Sequence, residues 1–201
     1  MKIIGITGGV GAGKSEILSY IKKHYYCEIY LADQVAHEVE KKGTECFEKL
    51  VRLLGEDVLS DDGEIDKKLM ANKIFLTEGM LDQVNALVHP AVREYLTMKM
   101  EEAKAKAEVE LFFIEAALLI ECGYKSLVDE MWYIYADEEI RLQRLMNNRG
   151  YTLEKSKAIM SKQLSHDMFL ENSDFQIDNS GELSESYKQI DQKLEDFSWR
   201  N

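Results

Sequence analysis

The sequence predicts an α/β fold in which short core strands alternate with helices and one helical lobe is inserted. Three observations predict it. Residues 3–21 (IIGITGGVGAGKSEILSYI) pass from an apolar β-branched run through a glycine loop into apolar residues at helical spacing. Short apolar runs of strand-forming residues return at 27–32 (CEIYLA), 111–116 (LFFIEA), 131–136 (MWYIYA) and 175–178 (FQID). Between the second and third of these five strands, residues 42–106 carry only helical patterns and turn signals. The expected division is a core of 1–41 and 111–201, a lid at about 141–170 within it, and an inserted lobe at 42–110.

The chain of 201 residues is the size of one core with an insertion, and its composition is that of a globular protein. A net charge of −12 argues against a nucleic-acid or anionic-membrane partner, because both require a basic face. No stretch approaches the roughly 20 apolar residues of a membrane span, and the N-terminal apolar run is too short for a signal peptide. Cys27, Cys46 and Cys122 are odd in number and widely spaced. They read as reduced thiols of a cytoplasmic protein. A monomer is expected, with at most weak self-association.

In the first element, Gly8, Gly9, Val10, Gly11, Ala12, Gly13, Lys14 and Ser15 fit G-x-x-x-x-G-K-[ST] between a strand and a helix, the context this motif needs. A polyphosphate is held best by main-chain N–H groups that converge without side chains in the way, which glycine permits. The helix start adds its unsatisfied amides and the positive end of its dipole. Lys14 supplies a mobile cation for the β- and γ-phosphates and Ser15 a hydroxyl for Mg²⁺. A nucleotide such as ATP is the expected ligand.

The second strand hands over to a helix at Asp33, at the carboxyl edge where ligand sites of such sheets form. Two readings are open for Asp33: an N-cap, or a carboxylate facing the glycine loop that accepts a hydrogen bond from an attacking hydroxyl. His37 follows one turn later on the same face. In the inserted lobe, Ile65, Leu69, Ile74 and Phe75 read as a buried stripe. Leu81, Val84, Leu87 and Val88 line a helix that should stop near His89, with Pro90 starting the next.

Glu115, at the end of the third strand, reads either as an acid that holds Mg²⁺ through water or as an edge charge. After the fourth strand Asp137 is an expected N-cap, and Gly150 ends the helix that follows. That helix carries Arg141, Arg144 and Arg149, the cations an acidic phosphate-binding protein lacks elsewhere. They read as a phosphate-facing lid in preference to a solvated basic face. A helix over 152–163, the short fifth strand, a turn at Asn179–Gly181 and a closing helix over 183–197 complete the chain.

Taken together, these residues resemble the dephospho-coenzyme A kinase family nearly end to end. The resemblance is carried by TGGVGAGKS (7–15), LADQVAHEV (31–39), DGEIDKKLMANKIF (62–75), NALVHPAVR (85–93), ALLIE (117–121), RLQRLMNNRGYT (141–152), Gln163 and DFQIDNSG (174–181). It implies a P-loop kinase-type five-stranded parallel sheet flanked by helices, with an inserted helical substrate lobe and a lid. The implied reaction moves the γ-phosphate of ATP, with Mg²⁺, to the ribose 3′-hydroxyl of dephospho-coenzyme A. By the same resemblance Asp33 matches the family's base, while Lys14, Arg144 and Arg149 stabilise the transferring group. Asn179 would lie near the adenine, and His37, His89 and Arg93 would line the substrate side.

The sequence departs from the family pattern at several positions. Glu16 replaces the usual threonine after the P-loop serine, which bears on the α-phosphate. Leu31 and Ala117 replace a usual Asp and Pro, and Lys67 stands where Arg is common. Phe169 falls where a basic residue often follows Gln163. Another nucleoside monophosphate or small-molecule kinase of the same fold is the nearest rival. A GTPase is disfavoured, because Asn72-Lys73 lacks the Asp of N-K-x-D.

Overall fold

The computed structural model describes residues 1–197. Its strands are β1 (Lys2–Thr7), β2 (Cys27–Leu31), β3 (Leu111–Glu115), β4 (Glu130–Tyr135) and β5 (Phe175–Asp178). Helices α1 (Lys14–His24), α2 (Ala32–Val39), α3 (Glu45–Leu54), α4 (Lys67–Leu76) and α5 (Met80–Lys106) fall before β3. Helices α6 (Glu138–Arg149), α7 (Leu153–Met160), α8 (His166–Glu171) and α9 (Leu183–Lys193) follow β4. The chain forms two compact units, one made of Met1–Ile29 with the chain from Ala103 onward, the other of Tyr30–Glu102. The borders fall inside β2 and inside α5, whereas the sequence reading placed them at element ends, after 41 and 110; its residues 198–201 lie outside the described residues.

In the first unit the sheet order is β2-β3-β1-β4-β5. The pairs β3–β1, β1–β4 and β4–β5 are parallel, with Ile4 opposite Phe113 and Ile6 opposite Trp132. Ile3, Ile4, Ile6, Leu111–Ile114 and Met131–Ile134 are all buried. A strand covered on both faces needs a continuous apolar run, and these runs are why the core strands were readable as strands. α1 buries Ile17, Leu18 and Ile21, the helical stripe expected of it. α8 has no counterpart in the sequence reading. It is short, starts at a Ser165 side chain that accepts from the Met168 amide, and holds Phe169 flat on Tyr133 at 4.7 Å between centroids. Phe169, expected as a missing lid contact, is thus a buried core residue.

The second unit is helical apart from one isolated bridge between Leu59 and Ile65. α3 buries Cys46, Phe47, Leu50 and Leu54, and Thr44 caps it by accepting from the Phe47 amide. α4 is fastened by its ends: Asp66 accepts from the amides of Lys68 and Leu69, and Lys73 donates to Asp57 at 2.6 Å. The expected buried stripe on it is absent. No residue of α4 is buried, and Phe75 is 89% and Leu76 81% exposed.

The expected helix break at His89–Pro90 is also absent, because α5 runs through Pro90. Proline removes one N–H donor and crowds the carbonyl four residues back, a cost of roughly 3 kcal/mol in a helix interior. Here Val84, Val88, Val92, Leu96, Met100 and Ala103 form one buried stripe on both sides of it, so packing offsets that cost. Pro90→Ala is therefore expected to stabilise the protein by about 1–3 kcal/mol, seen as a higher urea midpoint at unchanged slope. No helix among the described residues is long and apolar enough to cross a membrane.

Candidate active site

β1 ends at Thr7, and the chain turns through Gly8–Gly13 into α1. Gly13 takes the left-handed conformation at φ 92° and has no side chain to cap the helix. The amides of Gly11, Gly13, Lys14 and Ser15 have no acceptor among the described residues. A Cβ on Gly13 would run into the Asn179 amide, and one on Gly9 into the Arg141 guanidinium. The loop is thus bare toward an anion and closely packed behind.

The Lys14 ammonium folds back over this loop. It donates to the Gly8 carbonyl at 2.8 Å and stands 3.6 Å from a Glu115 carboxylate oxygen. Burial lowers its pKa; Glu115 opposes that shift, and the charges of Arg141 and Arg149 reinforce it. A lysine held this way is short of negative charge, which a polyphosphate would supply. The Ser15 hydroxyl is exposed at the start of α1 and makes no hydrogen bond.

The arginines of α6 divide their work. Arg141 donates from Nε to the Val10 carbonyl at 2.9 Å and from a terminal nitrogen to Gln163 Oε1 at 2.8 Å, while Gln163 Oε1 also accepts from the Val10 amide at 3.0 Å. Val10 is thus held by both its N–H and its C=O. Arg144 donates to the carbonyls of Ala12 and Asn179 at 3.3 and 2.8 Å. These bonds brace the loop. Arg149 is exposed and makes no hydrogen bond or ion pair among the described residues, yet it lies close enough to lower the pKa of Lys14. It is the arginine of this helix that remains available to an incoming anion.

Asn179 is also a brace. Its side chain is buried, donates from Nδ2 to the Ala12 carbonyl at 2.8 Å and accepts from Ser186 Oγ at 2.9 Å. The amide is turned into the protein. Asp137 occupies the N-cap position of α6, but its carboxylate accepts from the Tyr135 hydroxyl at 2.6 Å and caps nothing. Glu16 accepts from the Tyr187 hydroxyl at 2.9 Å. Gln163 was visible in the sequence only as a member of a motif, and Arg141 only as one of the lid cations; their grip on Val10 depends on where α6 and the segment after α7 lie.

Asp33, His37, His89 and Arg93 belong to the second unit. The N-cap reading of Asp33 is corrected: Leu31 holds that position, α2 begins at Ala32, and no side chain caps it. Asp33 lies in the first turn, exposed, with no hydrogen bond or ion pair among the described residues. His37, a turn later, is 3.7 Å from Glu40. Burial raises the Glu40 pKa against the opposing effect of that imidazole. His89 and Arg93 are four residues apart on α5 and so share a face. No cluster of three or more His, Cys, Asp or Glu side chains among the described residues could hold a metal ion.

Comparison with known proteins follows the same lines. The family model described as dephospho-CoA kinase matches residues 2–185. Dephospho-CoA kinase of Carboxydothermus hydrogenoformans is 30% identical over 201 residues, covering 100% of this chain and 97% of that protein. The enzyme of that name from Streptococcus pyogenes serotype M1 is 32% identical over 193 residues, covering 96% of each. The solved structure of dephospho-CoA kinase from Campylobacter jejuni, at 22% identity and 96% coverage of each chain, has the same fold with a TM-score of 0.73. The fold is therefore that of a P-loop kinase. By its match over nearly the whole length, this chain belongs to the dephospho-CoA kinase family, and with it to the ATP-dependent kinases.

Proposed function

We propose that the protein transfers the γ-phosphate of ATP to the ribose 3′-hydroxyl of dephospho-coenzyme A, giving coenzyme A and ADP. The observation that carries this reading is the set of amides of Gly11, Gly13, Lys14 and Ser15, unpartnered among the described residues, with the Lys14 ammonium folded over it. These groups bind the phosphate chain. Lys14 and Arg149 meet the charge that builds on the transferring group, which in a loose transition state lies on its peripheral oxygens. Asp33 orients the acceptor hydroxyl and takes its proton. Its support is an exposed, unpaired carboxylate just past the end of β2. His37, His89 and Arg93 contribute to holding the acceptor.

Mg²⁺ suits the donors present. The Ser15 hydroxyl, exposed at the start of α1, is a hard oxygen ligand for an ion that keeps several waters and takes phosphate oxygens. The ion would neutralise phosphate charge when bound. The three cysteines form no disulfide among the described residues, in keeping with a reducing cytoplasm.

A coupled ADP-release assay tests the substrate. Release with dephospho-coenzyme A should exceed that with AMP or shikimate by at least about a hundredfold, since a site built around one acceptor leaves its polar groups unpaired with another. The product should carry one added phosphate by mass spectrometry. Equal rates with AMP would move the protein to the nucleoside monophosphate kinases.

A further inference from the structure

Glu16 is an awkward residue where it stands. It is in the first turn of α1, next to the free Ser15 amide, and its own amide is spent on the Gly13 carbonyl at 3.1 Å. A carboxylate in a helix first turn is favoured by the dipole while the site is empty. Once a polyphosphate lies across the amides from Gly11 to Ser15, the same carboxylate is a like charge beside it, and repulsion between anions so close is substantial.

The structure shows where that charge is kept. The Tyr187 hydroxyl, on α9, donates to Glu16 Oε1 at 2.9 Å. The Tyr187 ring lies flat on the Tyr20 ring of α1, 3.8 Å between centroids and 6° from parallel. The Tyr20 hydroxyl is pinned in turn by both Asp191 oxygens at 2.9 Å, and Asp191 also accepts from Tyr25 at 3.0 Å. Partial burial and Asp191 push the Tyr20 pKa up to about 12. Partial burial and Glu16 push that of Tyr187 up as well. Both phenols therefore stay protonated donors at neutral pH. The tether on Glu16 is a stacked, hydrogen-bonded assembly between two helices rather than a lone surface contact.

We propose that Tyr187 is a positioning residue that holds the Glu16 carboxylate clear of the α-phosphate of a bound nucleoside polyphosphate. This rests on the nucleotide reading of the glycine loop, and it assigns a part to a residue pair outside that loop's own motif.

Isothermal titration with Mg-ADP tests it on wild type, Tyr187→Phe, Glu16→Gln and the double variant. Phe keeps the ring stack and removes only the hydroxyl. Tyr187→Phe should weaken binding about three- to tenfold, the scale of one partly screened like-charge contact, and added salt should narrow the gap. Glu16→Gln should bind more tightly than wild type, and the double variant should match Glu16→Gln. At saturating substrate the Tyr187→Phe turnover should equal that of wild type, so that the loss sits in KM. A lowered melting temperature with unchanged affinity would mark the network as structural only and overturn the proposal. So would a loss that persists in the double variant. Should Tyr187→Phe fail to fold, Glu16→Gln alone decides: tighter binding supports the proposal, and unchanged or weaker binding overturns it. A wild type that bound no nucleotide would overturn the nucleotide reading as well, whereas equal binding by wild type and Tyr187→Phe would overturn this proposal alone.

Discussion

Asp33→Asn is expected to lower turnover with dephospho-coenzyme A and ATP by roughly two or more orders of magnitude, the range of positioned general-base catalysis. Asparagine has nearly the same shape, so the acceptor still fits. What is lost is the negative charge that draws the hydroxyl proton and the ability to receive it. The structure makes this substitution a clean one. Asp33 does not cap α2, forms no ion pair among the described residues and lies in an exposed first turn. Thermal stability should therefore shift little, and Mg-ADP affinity should stay near wild type, because the nucleotide is held by a different set of groups. A variant with near-normal turnover would remove Asp33 from the reaction. A variant that lost nucleotide binding along with turnover would instead place Asp33 among the phosphate-binding groups.

The parts of this protein that were legible in its sequence are those where one local constraint rules. The strand, glycine loop and helix from Lys2 to His24 were readable because a buried parallel strand, a bare amide loop and an amphipathic helix each demand residue types few other arrangements want. β5 was readable for the same reason. The misreadings share a different cause. Pro90 carries a strong local preference, and a breaker rule ended the helix there; a stripe of buried residues from Val84 to Ala103 outweighs it. Phe75 is apolar at a helical spacing, yet periodicity reports only that a face exists, and here nothing covers it. For Arg144 and Asn179 the sequence did not show their partners within the protein. Both lie beside the loop and donate to the Ala12 carbonyl, and Arg144 also to that of Asn179. No residue type records whether a guanidinium will meet a phosphate or a peptide. That is settled by the distance of α6 from the loop, a tertiary fact. Glu16 was flagged as a departure, and only the structure shows that Tyr187 donates to it.

Lys14→Met should reduce kcat/KM by about three orders of magnitude, the upper range for removing a single charge-stabilising donor. Methionine fills a similar volume and needs no partner, so packing around the loop survives. The cation aimed at the β- and γ-phosphates does not. A second measurement separates this electrostatic part from a steric one. In the nucleotide-free protein, burial holds the Lys14 pKa below the ordinary lysine value. A bound polyphosphate sets negative charge against the ammonium and raises that pKa again. A pKa that is higher in the complex than in the free protein means that binding takes up protons in the pH interval between the two values. Titrations of wild type with Mg-ADP across a series of pH values, in buffers of different ionisation enthalpy, should therefore show an interval of proton uptake, and Lys14→Met should lack it. Equal uptake by the variant would assign the proton to another group. A kcat/KM within about tenfold of wild type would mean that the backbone amides and Arg149 suffice, and that Lys14 only shapes the loop through its bond to the Gly8 carbonyl.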